Sequence, residues 1–126
     1  MRESRARIQE EEMASYKLRT EGIEFEIAKS PVPKVDQDGR QKVDGITGHP
    51  VWVVEVAAWK GENEGADTMA VSVASAMPPA VRWRQPVEVV DLEIIPWANL
   101  GRNKELRSGV AFKASEIRPL ELASVQ

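Results

Sequence analysis

Nine residues, Val51 to Trp59 (V-W-V-V-E-V-A-A-W), constrain the fold of this chain more than any other stretch. Successive side chains of a strand point to opposite faces, so Trp52, Val54, Val56 and Ala58 share one face and Val51, Val53, Glu55, Ala57 and Trp59 the other. Both faces are largely apolar, which predicts a central strand covered on two sides. Its neighbours in sequence follow the same rhythm. Ile23, Phe25 and Ile27 alternate with Glu24, Glu26 and Ala28, a half-buried strand that Pro31 and Pro33 should end. Beyond the polar turn K-G-E-N-E-G-A-D, Thr68 to Ser75 alternates again with Met69, Val71 and Val73 inward, an antiparallel partner for the central strand.

Pro78 and Pro79 leave only a short connection before Val87, with no room for a long helix. From Val87 to Ile95 the adjacent pairs Val89-Val90 and Ile94-Ile95 break strict alternation, and bulges in a strongly curved sheet are the expected reason. Val110 to Ile117 completes the set, with Val110, Phe112 and Ala114 opposite Ala111, Lys113 and Ser115. Five strand candidates without a core helix predict an all-β fold, a five-stranded OB-like small barrel, with a β-sandwich as the alternative because strand count does not set connectivity. Between the first two strands, K-V-D-Q-D-G-R-Q-K-V-D-G-I-T-G-H-P carries the turn dipeptides Asp38-Gly39 and Asp44-Gly45 and reads as a mobile hairpin or long loop.

The 126 residues, 42% hydrophobic, suit one domain, expected over residues 14–120 with a tail at 121–126. Residues 1–13 are predicted to be a short helical or disordered extension, since residues 1–12 hold three arginines and four glutamates but only Ala6 and Ile8 as internal apolar side chains. Met13 just before the first strand-like sequence suggests an alternative natural start. No cysteine is present, which excludes disulfides and thiolate metal sites and favours a reducing, cytoplasmic setting. No apolar run approaches the roughly 20 residues of a membrane helix, and no signal-peptide pattern opens the chain. The net charge of −3 opposes indiscriminate wrapping of DNA, so any nucleic-acid site must be a local patch.

Such a patch is visible between Arg82 and Pro119. Trp97, Arg102, Lys104 and Arg107 are expected around one loop between two β-rich runs, where an indole can stack on a base while cations neutralise phosphates. Lys113 on the following strand would extend it. Trp83, flanked by Arg82 and Arg84, is a second stacking candidate, and Trp59, at a strand end beside Lys60, a third. Each tryptophan has a structural alternative as core or as a lid under arginine stems; for Trp52, which shares a face with Val54 and Val56, core is expected. The cations have theirs as solvated loop and edge residues. Lys34, Arg40 and Lys42 offer a second basic edge, offset by Asp36, Asp38 and Asp44.

Catalytic and metal motifs are missing from the sequence. Asp36, Asp38 and Gly39 fail the EF-hand spacing, with Thr47 where the bidentate glutamate would stand. His49 is the only histidine, no nucleophile elbow surrounds a serine, and no phosphate-binding glycine loop occurs. A non-enzymatic protein without metal or cofactor is therefore expected.

From Pro33 to Pro119, roughly two thirds of the chain, the ordered segments K-V-D-Q-D-G-R, G-H-P-V-W-V-V-E-V, D-T-M-A-V-S-V, Q-P-V-E-V-V-D-L, Pro96-Trp97 and G-V-A-F-K-A-S-E-I-R-P resemble a family of small regulatory proteins of actinomycete integrative and conjugative plasmids. That family is related to activators of replication, integration and excision. The resemblance implies a DNA-associated accessory role in a mobile element and carries over no catalytic residue. Together with the patch, it predicts single-stranded DNA as the ligand, replication or transfer proteins as further partners, and room for homo-oligomers. The alternative is a regulator of plasmid replication or transfer that contacts protein and not DNA.

Overall fold

The computed structural model describes residues 14–101 and 103–120. They form eight strands and, among the described residues, no helix: β1 (Tyr16–Lys17), β2 (Glu24–Pro33), β3 (Val51–Trp59), β4 (Ala66–Ala74), β5 (Pro86–Val90), β6 (Glu93–Leu100), β7 (Leu106–Ala114) and β8 (Glu116–Pro119). All belong to one curled half-barrel sheet in the order β1-β6-β7-β4-β3-β2-β5-β8. The all-β class agrees with the sequence reading, whereas the expected five-stranded barrel is replaced by eight strands in a half-barrel. The expected extension and the C-terminal tail lie outside the described residues.

The count rises from five to eight because the two last predicted strands each divide and the two-residue β1 adds a strand outside the predicted set. Val87 and Val89 are buried on β5, but the next buried side chain is Leu92, three positions on; across the ladder the buried set jumps likewise from Ile117 to Ala114. Both strands change their inward parity at the same level, where Asp91 adopts a left-handed φ of 54° and the Ser115 hydroxyl donates to Asp91 Oδ2 at 3.0 Å. Register is kept across the break, Val90 pairing Glu116 and Glu93 pairing Lys113. The four strands β5 to β8 are thus one long hairpin with a kink in place of the expected bulge; the kink moves the buried parity from Val89 to Leu92, while Val90 and Ile95 lie on the opposite face. Before the kink the hairpin joins β2 through β5; beyond it, β7 joins β4 in parallel at Val71↔Phe112 through Val73↔Ala114.

Pro31 does not end β2 as expected, whereas Pro33 is its last residue. A register shift between Lys29 and Val32 takes Pro31 out of the ladder with β3, and β5 pairs β2 only at Phe25 and Glu26, so the missing N–H groups fall on an edge. The inward side chains Phe25, Ile27, Val54, Val56, Val71, Val73, Val87, Val89, Leu92 and Ile117 form the core, with no buried polar side chain among the described residues. Trp52 sits at the core margin, half-buried, its indole N–H donating to Ser75 O at 2.9 Å.

Residues 34–50 form an arm that is hydrogen-bonded at both of its turns. Asp36 Oδ1 accepts from the N–H groups of Asp38 and Arg40, and Gly39 supplies the positive φ that closes this turn. In the second turn Asp44 Oδ2 accepts from both the N–H and the hydroxyl of Thr47. Gly48, not Gly45, takes the left-handed conformation there. Lys34 N–H donates to Val51 O, and Val51 N–H to Lys42 O, tying the arm to the start of β3.

Candidate nucleic-acid interface

The loop expected to carry four functional residues is shorter than predicted. Trp97 stands within β6 and Arg107 within β7, while Lys104 occupies the turn between them with a left-handed φ of 62°. Arg102 lies outside the described residues. Strand register then decides which side chains share a face. Directly paired residues point the same way, so Glu93 and Lys113, Ile95 and Ala111, Trp97 and Gly109, and Asn99 and Arg107 form one face of the β6–β7 ribbon.

On that face the Trp97 indole lies across Gly109. A Cβ on Gly109 would stand 2.8 Å from Trp97 Cζ2, so glycine is what lets the ring lie down on the ribbon. Trp97 is half-buried, one side of the ring on backbone. Arg107 follows two residues before Gly109 in β7; its Nε sits 3.2 Å from where a Cβ of Gly101 would be. Among the described residues, no carboxylate lies within ion-pair distance of Arg107, Lys104 or Arg82. Lys113, four residues after Gly109 on the same face, is 3.9 Å from Glu93 Oε1.

The face continues onto the outer side of β4, because Lys113 pairs Ser72. Ser72 Oγ accepts from Lys34 Nζ at 3.0 Å. Burial first, then nearby Lys42, hold the Lys34 ammonium below the usual lysine value. Between the second turn of the arm and the kink of the long hairpin runs a groove of about 410 Å³, lined among others by Lys17, Ile46, Val51, Ser72 and Lys113. Asp44, Asp91 and Glu93 line it too, so its charge is mixed.

Asp44 is held below the ordinary carboxylate value of 3.8 by the Thr47 N–H first and the Thr47 hydroxyl second, against a small opposing effect of burial. A depressed carboxylate stabilises the turn above its unfolded-state pKa, and that contribution is lost as pH falls through the folded value. Thr47→Val, which removes only the hydroxyl bond, is expected to raise the Asp44 pKa partway back. A carboxyl NMR titration reads this directly, and an unchanged pKa would dismiss the hydroxyl as a cause.

The remaining candidates stand elsewhere. Trp83 is 64% exposed in the turn before β5, and the Arg84 guanidinium lies 5.8 Å from its ring centroid. Arg84 is also engaged by Glu26 at 3.2 Å, which offsets its charge. Arg82 is exposed beside them. Trp59 is exposed at the end of β3, directly opposite Glu24, in a shallow pocket shared with Glu26, Lys60 and Glu62. Its surroundings are thus mostly anionic.

The structure therefore brings Trp97, Arg107 and Lys113 together on one face, groups Arg82, Trp83 and Arg84 in a second place, and sets Trp59 in a pocket beside Glu26, the carboxylate that engages Arg84. Sequence reasoning passed over Lys17, Ser72 and Gly109. The signal for Gly109 was available, a glycine inside an alternating strand, which marks close approach of another group. Among the described residues no group of three or more His, Cys, Asp or Glu side chains is placed to hold a metal, and no helix is long and apolar enough to cross a membrane. Compared with known proteins, the chain matches no family model and no curated protein.

Proposed function

We propose that this protein is a DNA-associated accessory or regulatory protein of a mobile element, holding single-stranded DNA on its curled sheet without catalysing a reaction. The observation that carries the reading is the Trp97 indole lying on Gly109 between Arg107 and Lys113 on one ribbon face. A flat aromatic platform with cations on either side along the strand suits a base flanked by its phosphates. Duplex DNA keeps its bases stacked inside and offers no such ring to an indole.

An OB-like reading of the connectivity is in keeping with this proposal. Strands β2, β3 and β4 are consecutive antiparallel neighbours, β7 is parallel to β4, and β5 returns to β2. In that reading the 34–50 arm and the β6–β7 ribbon correspond to the two loops that border the ligand groove of OB-folds. The mobile-element setting rests on the resemblance of the ordered segments between Pro33 and Pro119. Cytoplasmic location follows the same reading together with the absence of cysteine.

A second reading, a regulator that binds a replication or transfer protein and not DNA, is favoured by the net charge of −3 and the carboxylates in the groove. Titration of a labelled single-stranded oligonucleotide and its duplex, followed by anisotropy at low and high salt, separates the two. Tighter binding to the single strand is expected. With Lys104, Arg107 and Lys113 as phosphate partners, log K should fall against log salt with a slope of about −2. No binding at low salt would leave the protein-partner reading.

A further inference from the structure

We propose that the β6–β7 ribbon joins two copies of this chain through the face opposite to Trp97. This inference does not depend on nucleic-acid binding. Pairing places Ile94 with Phe112, Pro96 with Val110, Ala98 with Ser108 and Leu100 with Leu106 on that second face, and Tyr16 of β1 joins it through its pairing with Ile94. At the base, Phe112 packs against the core. Further out nothing in the chain covers the strip among the described residues: Val110 is 51% exposed, Tyr16 58%, Leu100 69% and Leu106 73%. None of the six outer positions of the face carries a charge, although 29% of the chain is charged.

The edge of the ribbon is guarded in a way that its face is not. Leu18 N–H donates to Leu92 O at 2.9 Å, so Leu92 directs its backbone groups outward to β1. By the alternation of an antiparallel ladder, Ile94 and Pro96 do the same. Pro96 has no N–H to offer there, and β1 pairing reaches only to Tyr16 opposite Ile94. Proline interrupts the outer edge as a template for another strand, which directs association to the apolar face.

A second copy is the occupant whose size and chemistry fit. Tyr16, Pro96, Leu100, Leu106 and Val110 together present roughly 500 Å² of apolar surface, at the upper end of what a monomer ordinarily shows. Two such faces packed about a two-fold axis bury about 1,000 Å², where specific interfaces begin. A two-fold contact is self-complementary, uncharged strip against uncharged strip. The segment of residues 1–12, with seven charged side chains, lacks the apolar groups to cover the strip. The segment beyond Leu120 leaves from the opposite end of the long hairpin, where Leu120 N–H donates to Pro86 O. Packing of this kind would also set two Trp97 faces outward on one dimer.

Sedimentation of the full 126-residue chain without DNA, from micromolar to hundred-micromolar concentration, tests the proposal. The expected result is twice the mass of the chain for the natural sequence and a single chain mass for Leu106→Glu, whose melting temperature should match that of the natural sequence at concentrations too low for it to dimerise, because the position is exposed. Leu106→Ser serves as a milder variant should the charge disturb folding, and is expected to weaken the dimer at least tenfold. Trp83→Ala, in another part of the sheet, should leave the dimer intact. A monomer at every concentration would overturn the proposal, as would a dimer that survives both Leu106→Glu and Leu100→Glu. A dimer that appears only after removal of residues 1–12 would assign the strip to that segment and overturn it as well.

Discussion

Ile27→Ala is expected to lower the stability of the protein by about 2–5 kcal/mol. Ile27 is 1% exposed in the centre of the core. Its removal forfeits transfer energy and leaves a cavity that Val54, Val56 and Val87 cannot collapse into without moving the sheet. The position is also a junction. Ile27 N–H donates to Gln85 O at 3.0 Å and Ile27 O accepts from Arg84 N–H at 2.8 Å, so the turn carrying Arg82, Trp83 and Arg84 hangs on this residue. Against a typical total of about 5–15 kcal/mol, the loss is a large fraction. Urea denaturation followed by tryptophan fluorescence measures it; Ile46→Ala, at a position 94% exposed, should shift the midpoint little. Equal midpoints for the two variants would place Ile27 outside the cooperative core.

Trp97→Ala is expected to weaken single-stranded DNA binding by about 1–3 kcal/mol, on the order of ten- to a hundredfold in Kd. The indole is the platform of the proposed interface, and alanine leaves Arg107 and Lys113 without a base to position. Gly109→Ala provides an independent probe, because its new Cβ would stand 2.8 Å from Cζ2 and force the ring off the ribbon while every charge is kept. Both variants should lose affinity with little change in salt slope, since no phosphate contact is removed. Arg107→Ala should do the converse and flatten the slope by about 0.7. If Trp97→Ala binds as the natural sequence does, the ribbon face is not the interface, and the Trp83 cluster becomes the place to test.

The sheet was legible in the sequence where one face is buried and the other is not. The central strand Val51–Trp59 has the bounds its pattern predicts, but only its Val54, Val56 and Ala58 face is buried and the other is not covered as expected; Met69, Val71 and Val73 point inward as their alternation requires. The doubled pairs Val89-Val90 and Ile94-Ile95 announced an irregularity, but alternation is local and cannot say that the partner strand breaks at the same level. Only the pairing of Asp91 with Ser115 turns two strands into four. Pro31 does not stop β2, because the cost of a proline depends on whether its N–H would have faced a neighbour, and here the edge is open; the strand ends at Pro33.

The candidate site was legible as composition and not as geometry. Aromatic and basic residues cluster between Arg82 and Lys113 in the sequence, yet they stand in two separate places. Parity along β6 and β7 puts Trp97, Arg107 and Lys113 together. The same parity puts Leu100, Leu106 and Val110 on the other side. Trp59 could not be judged from its sequence neighbour Lys60, because the carboxylate opposite it, Glu24, comes from a strand 35 residues earlier.

By itself the sequence determined the all-β class and most strand positions, because side-chain alternation and turn chemistry act within a few residues. The tertiary structure alone decided that β7 joins β4 in parallel, that the long hairpin kinks at Asp91 and Ser115, and which side chains share the Trp97 face. Those outcomes depend on register between strands far apart in the chain. Register is set by which apolar faces can be buried at once, a condition of the whole sheet that no single segment contains.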